Sequence, residues 1–393
     1  MALHVYIPTQ FVSRYSLLGV FARELAEAFA AAGAVVNARA HPSNQRGMFV
    51  LFNTPERTEN VRSWVESTVG DLKDAAVLHY HVDHPLALHA PHMDEFATWP
   101  TYRLLMPCRD DGHMLRLRWP KLKHLTCGHG VSPGTLCSAQ SLAQEHLQEQ
   151  GDGPRRIPLV LAGTIHSPQE LAQLRAGLPE GLREIADAAA GLMAVSPQMA
   201  FTQAFDLSLP GGVFANDHWK LMEAVWRYAT AHANATRRVM IAQAMQGIPA
   251  LVVGPQAWEE HCTGTLRYGG ELPYENLPEL LRQARVTLAW GPTQFAHTYS
   301  ERLLLAMASG CATVTDDRLT TRAQFLQDER QPACLIADVS APERVREAVD
   351  ALLEAPDVAA AIACRGRAMV EVGHLWGHRL NTFAAAAADC WKV

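Results

Sequence analysis

The chain has 393 residues, 48% hydrophobic and 19% charged, with a formal net charge of −6; this supports a sizeable core in two domains and excludes a disordered or fibrous protein. The negative charge argues against a nucleic-acid polymer as main partner. Apolar runs such as LMAV and ALVVG fall far short of the roughly 20 residues of a membrane span, and the start MALHVYIP has no basic region ahead of an apolar stretch.

Eight cysteines occur without any Cys-x-x-Cys, several in apolar surroundings (Cys108, Cys311, Cys364), the pattern of buried thiols in a reducing compartment. The expectation is a cytoplasmic protein without a disulfide framework.

In chain order, HVYI (4–7) reads as a strand, SLLGVFARELAEAFAAAGA has apolar residues at helical spacing and ends near Gly33, and VVNARA is a second strand candidate. FVLFN (49–53), the amphipathic VRSWVESTVGDL and AAVLHYH (75–81) continue the alternation, which favours a parallel, doubly wound sheet with ligands at strand C-termini. A polar stretch, AQEHLQEQGDGPRR (143–156), is the expected linker. Beyond it IPLVLAG (157–163), a helical region filling much of 168–247, ALVVG (250–254), VTLAW (286–290) and ATVTD (312–316) make a second α/β half, and helices fill the chain from Ala341 onward.

The stretch HYHVDH (79–84) has the His-x-His-x-Asp-His spacing of dinuclear zinc hydrolases of the metallo-β-lactamase type. His129, in CGHGVSPG, fits the third histidine of such a site, but the next strand ends LAGTIH, with Thr164 where a bridging aspartate is required. In a strand His79, His81 and Asp83 share one face and Tyr80, Val82 and His84 the other. These residues therefore read either as a hydrogen-bonded strand end or as general-base machinery, imidazole beside carboxylate being suited to that work near neutral pH.

Farther on, residues 298–301 precede a helix expected over roughly 302–309, which places Thr298, Tyr299, Ser300 and Glu301 where a diphosphate meets the positive helix end; a plain N-cap with Glu301 in the first turn is the alternative. Gly310 is placed to end that helix.

Several motifs together resemble bacterial GT-B glycosyltransferases of the spore-maturation-protein type, related to families 1 and 4. In the first half these are Asp83-His84-Pro85 after a strand, Asp110-Asp111-Gly112-His113 after the next, and His129-Gly130 in a turn. In the second half, PLVLAGTIHSP, RRVMIAQAMQGIPALVVGPQAW and GELPYENLPELLRQARVTLAW are similar to the same group, and HTYSERLLLAMASGCATVTDDR (297–318) is like a donor-binding loop, helix and strand. RGRAMVEVGHLWGHRLNTF resembles closing helices, while nothing familiar covers 168–225.

The resemblance implies an α/β protein of GT-B fold: two Rossmann-like, doubly wound domains facing across a cleft, with C-terminal helices crossing back. Its parts are an acceptor domain (1–150), a nucleotide-sugar domain with a helical insertion (151–374) and a closing helix packing back on the first domain (375–393). The implied activity is metal-independent transfer of a sugar from a nucleotide-diphosphate sugar to a hydroxyl of a glycan, protein or small molecule, with no cofactor. Glu301 and Arg302 would bind the donor, Arg302 neutralising the departing diphosphate. Gly163, Thr164, Arg238, Tyr268 and His297, with the loop residues 298–300, complete the expected donor side, and Asp110, His113 and His129 the acceptor side.

Should the reaction invert configuration, His84 helped by Asp83 is the leading base, with Asp110 or His113 behind it; in a retaining reaction they shape the acceptor site. Family 4-type enzymes carry two glutamates where this chain has His297 and Leu305, so a GT-B protein that binds without turnover is the alternative, and a zinc hydrolase at HYHVDH a further one.

Overall fold

The computed structural model describes residues 3–8, 14–37, 45–53, 58–140, 142, 145, 154–209, 219–326 and 330–392. The chain forms two compact units, residues 1–132 with 374–393, and residues 133–373. The passage between them at Ser132 and Pro133 precedes the polar stretch 143–156, of which residues 145 and 154–156 are described.

The first unit is built on six parallel strands: β1 (His4–Tyr6), β2 (Val35–Asn37), β3 (Gly47–Phe52), β4 (Ala75–Tyr80), β5 (Tyr102–Met106) and β6 (His124–Thr126), in the order β2-β1-β3-β4-β5-β6. Of the expected strand VVNARA, residues 38–40 lie outside the described residues. β3 and β4 are buried along their whole length, which accounts for their near-continuous apolar runs GMFVLF and AAVLHY, since both faces of such a sheet are covered. The helices Leu17–Ala31 and Thr58–Val69 make two of the crossovers. The helix Trp376–Cys390 also belongs to this unit: Phe383 meets Phe29 edge-on, Trp376 packs against Phe21 and Tyr80, and buried Arg103 donates to Asp389 at 2.8 Å.

The second unit has six parallel strands too: β7 (Ile157–Ala162), β8 (Ala250–Val253), β9 (Leu266–Tyr268), β10 (Ala284–Leu288), β11 (Ala312–Asp316) and β12 (Leu335–Ala337), in the order β12-β11-β10-β7-β8-β9. Counted from β7, this is the Rossmann order, whose direction of winding reverses between β7 and β10. Leu159, Leu161, Val252, Val286, Leu288 and Val314 form the heart of its core.

Between β7 and β8 stand the helices Pro168–Ala176, Glu180–Val195, Phe201–Ser208 and Trp219–Ala244. The first starts at a capping box in which Ser167 and Glu170 exchange hydrogen bonds, with Pro168 at the first helical position. Between β10 and β11 runs the helix Glu301–Ala308. It ends at Gly310, whose φ of +72° and whose Cβ position, 2.5 Å from Cys137 Sγ, both require glycine.

Candidate active site

The reversal of winding in the second sheet places the ends of β7 and β10 side by side, the usual ligand position in open α/β sheets. The turn after β7 has its carbonyls held by side chains. Trp290 Nε1 donates to Ala162 O at 2.9 Å, Trp258 Nε1 to Gly163 O at 2.7 Å, and both Asn234 Nδ2 and Arg238 Nη1 to Thr164 O at 2.6 Å. The two indoles are stacked with centroids 6.3 Å apart. A Cβ on Gly163 would lie 2.6 Å from Trp290 Nε1 and 2.8 Å from Arg238 Nη1, so only glycine fits. Thr164 is half-buried.

Arg238 is buried and its guanidinium lies over the Trp290 ring, 5.4 Å from the centroid. Burial, then the nearby charges of Arg302 and Arg237, holds its pKa well below the ordinary arginine range. Arg237 is 6% exposed; burial, reinforced by Arg318, pushes its pKa down to about 9, and among the described residues its guanidinium makes no hydrogen bond. Arg302 Nε is likewise buried without a hydrogen bond, 3.6 Å from Glu301 Oε1. Arg318 is paired with buried Asp316 at 2.6 Å, and Asp316 also accepts from the N–H of Gly291. Burial alone would raise the Asp316 carboxyl, but Arg318 and the Gly291 N–H hold it below the usual carboxylate range. Four guanidinium groups thus gather around two carboxylates, so cationic groups outnumber anionic ones in the cluster.

The loop 297–300 approaches the same place. Ser300, the N-cap of the helix Glu301–Ala308, donates to Trp290 O at 3.3 Å instead of capping with its side chain. Thr298 is buried, and the His297 carbonyl accepts from Thr320 N at 2.9 Å. Tyr299 faces the neighbouring helix, its hydroxyl donating to Gln324 and its ring packing on Phe325. Leu305 is 2% exposed and belongs to the core. Tyr268 donates to Gly254 O at 3.2 Å, and a Cβ on Gly254 would lie 2.1 Å from Gly163 O.

Sequence reasoning missed Asn234, Arg237, Thr293, Asp316 and Arg318. The run TDDR at the end of β11 was the available signal for two of them, a strand C-terminus being a ligand position.

In the first unit, His84 is completely buried. Its Nε2 lies 2.7 Å from Asp111 Oδ2, and its Nδ1 accepts from Leu86 N at 3.2 Å. An acceptor at Nδ1 puts the ring proton on Nε2, directed at Asp111, so both ring nitrogens are engaged. Asp83, the expected helper, instead accepts from Asn53 Nδ2 at 2.5 Å, and Asn53 Oδ1 accepts from Val82 N at 2.6 Å. Asp110 is buried beside Cys108, with its N–H directed at the thiol. His113 is exposed in the first turn of the helix Gly112–Arg118. His129 is buried, its Nδ1 3.0 Å from Tyr80 OH and its carbonyl accepting from Arg379.

The histidines of HYHVDH look to separate partners. His79 Nδ1 pairs with Tyr102 OH at 2.6 Å, and His81 Nε2 with His84 O at 3.2 Å. Burial, with His81 nearby, lowers His79 to about 3, and burial lowers His81 as well, so both are neutral at physiological pH. Among the described residues no three His, Cys, Asp or Glu side chains converge as a metal-ligand group.

The fold and its switch-point site define a class. Residues 235–385 match the model of a family described as glycosyl transferase-like. In structure the chain is similar to sucrose-phosphate synthase from Thermosynechococcus elongatus, with 12% identity, a TM-score of 0.52, and coverage of 98% of this chain and 97% of that one. A glycosyltransferase from Rickettsia africae (8% identity, TM-score 0.49, 100% and 98% covered) and T4 phage BGT in complex with UDP-glucose (9%, 0.47, 99% and 97%) are more remotely similar. No curated protein matches the sequence significantly.

The chain has a GT-B fold, and its residues 235–385 carry a glycosyl transferase-like region. No helix among the described residues is long and apolar enough to cross a membrane.

Proposed function

We propose that the second unit binds a nucleotide-diphosphate sugar, with the diphosphate at the arginine cluster, and that the enzyme transfers the sugar to a hydroxyl acceptor. The observation that carries this reading is the gathering of Arg237, Arg238, Arg302 and Arg318 around only two carboxylates, with Arg302 Nε buried and without a hydrogen bond. A nucleotide-diphosphate sugar carries two negative charges on its diphosphate, and desolvated guanidinium groups without hydrogen bonds are satisfied by such a ligand.

In this reading Arg238 and Arg302 contact the diphosphate and Arg237 supplies further charge. As the bond to the sugar breaks, negative charge grows on the terminal phosphate, and these fixed cations stabilise it without reorganisation. The arginines thus do the work that a metal ion does in other phosphate chemistry, the basis for proposing metal-independent transfer. Thr298, Ser300 and Glu301 line the donor side from the helix start.

The loops after β4 and β5 of the first unit are assigned to the acceptor. Because both ring nitrogens of His84 are engaged, we assign it to holding these loops together through Asp111, the role expected in a retaining reaction. The narrower relationship to the spore-maturation group rests on the motifs quoted above.

A calorimetric and thermal-shift panel of nucleoside diphosphates and their sugars tests the proposal, with acceptor transfer followed by mass spectrometry. One nucleotide should bind at one site per chain and stabilise the fold. If none binds at millimolar concentration, the donor assignment is wrong.

A further inference from the structure

One side chain hydrogen-bonds to both loops that flank the proposed donor site. Asn234, 8% exposed on the long helix Trp219–Ala244, donates through Nδ2 to Thr164 O at 2.6 Å, while its Oδ1 accepts from Thr293 Oγ1 at 2.8 Å. The amide orientation follows from chemistry: only the NH2 group can bond a carbonyl oxygen, so the remaining oxygen must accept from the threonine hydroxyl. Thr164 belongs to the turn after β7 and Thr293 to the loop after β10, the two strands between which winding reverses. A planar amide has one fixed separation between its donor and acceptor, so bonding both threonines sets the spacing of the loops.

We infer that Asn234 is a positioning residue for donor binding, setting the gap between the β7 and β10 loops in which the diphosphate is held. The inference rests on the donor site proposed above. Neighbouring contacts give the bridge its leverage. Thr164 O is shared with Arg238 Nη1 at 2.6 Å, so Asn234 also fixes the carbonyl against which that guanidinium is aimed. The other loop is held at Gly291 N by Asp316 and at Phe295 O by Arg318, and Thr293 lies between these anchors. The carbonyls of Ala162, Gly163 and Thr164 are all occupied by side chains and the Gly163 N–H donates to Val253 O at 3.1 Å, so a change in the position of Thr164 is passed along the whole turn. Asn234 touches neither sugar nor phosphate in this reading; it acts through Thr164 and Thr293.

The test uses inorganic pyrophosphate, which is independent of the unidentified base and sugar, titrated calorimetrically into wild type, Asn234→Leu, Thr293→Val and the double variant, with melting temperature measured alongside. Asn234→Leu should weaken pyrophosphate binding at least tenfold and Thr293→Val at least threefold. The double variant should be no weaker than Asn234→Leu alone, because both changes cut one bridge. Its melting temperature should track that of the Leu variant. A purely structural asparagine would change melting while leaving pyrophosphate affinity within twofold of wild type, and that result overturns the inference, as do effects that multiply in the double variant.

If the Leu variant does not fold, Thr293→Val removes the same bridge by one hydroxyl-to-methyl exchange and decides the matter alone. Failure of wild type to bind pyrophosphate or any nucleoside diphosphate would instead refute the donor site itself.

Discussion

Arg237 is costly to the empty protein and useful to the liganded one, and Arg237→Met separates the two effects. Burial beside Arg318 lowers its pKa from the ordinary arginine range to about 9. At 1.36 kcal/mol per pH unit this is roughly 5 kcal/mol set against the charged form, an upper bound on the strain a neutral side chain would relieve. Methionine keeps much of the apolar stem and loses the charge; replacement of buried ionic groups by apolar ones stabilises by about 1 to 4 kcal/mol. The ligand-free variant should therefore gain about 1 to 3 kcal/mol in urea unfolding. Losing the Arg237 charge near the diphosphate weakens the attraction without removing a direct contact, so nucleoside-diphosphate affinity should fall roughly tenfold, about 1.4 kcal/mol.

A variant that is less stable and binds the nucleotide unchanged would refute the reasoning.

Three further predictions concern other residues. Gly163→Ala drives a methyl into Trp290 and Arg238, and should cost about 1 to 3 kcal/mol together with most donor affinity; a fully binding variant would show that the turn yields. Asp111→Asn weakens the charge-assisted hydrogen bond from the buried His84 ring, so the first unit should lose about 1.5 to 3 kcal/mol while nucleotide binding in the second is unchanged. A stable variant that binds donor but has lost all transfer would instead make the pair catalytic. Burial raises Glu24 from 4.5 to about 7, despite a hydrogen bond from Trp376. The folded protein therefore holds a proton that the unfolded chain has released between those values, and stability should fall as pH rises through this window, by at most roughly 3 kcal/mol. Glu24→Gln should flatten that slope, and an unaltered slope in chemical denaturation would contradict it.

Much of the fold was legible because buried parallel strands leave long apolar runs. β3, β4, β7, β8, β10 and β11 were all visible in this way, and the donor helix was displaced by one residue, beginning at Glu301 instead of Arg302. The edge strands β6, β9 and β12 have three residues each, too few to show a period. Sequence reasoning singled out Gly163 and Thr164 at a strand end and Arg238 beside a helix, and the structure brings these three residues together. Sequence reasoning missed Asn234, four residues before Arg238 on the same helix face, because a buried asparagine carries no pattern until its partners are known.

His84 illustrates a different limit. A histidine following an aspartate at a strand end reads as a base with a helper, yet its true partner, Asp111, lies 27 residues away and Asp83 turns to Asn53. Sequence adjacency says little about which carboxylate an imidazole meets when both sit in loops that tertiary packing arranges.

The most direct measurement is a crystal structure of the protein with the nucleoside diphosphate that produces the largest thermal shift. The expected result is a diphosphate within hydrogen-bond distance of Arg238 and Arg302, near the turn at Gly163 and the start of the helix Glu301–Ala308. A nucleotide bound elsewhere, with the arginine cluster unchanged and unoccupied, would contradict the account.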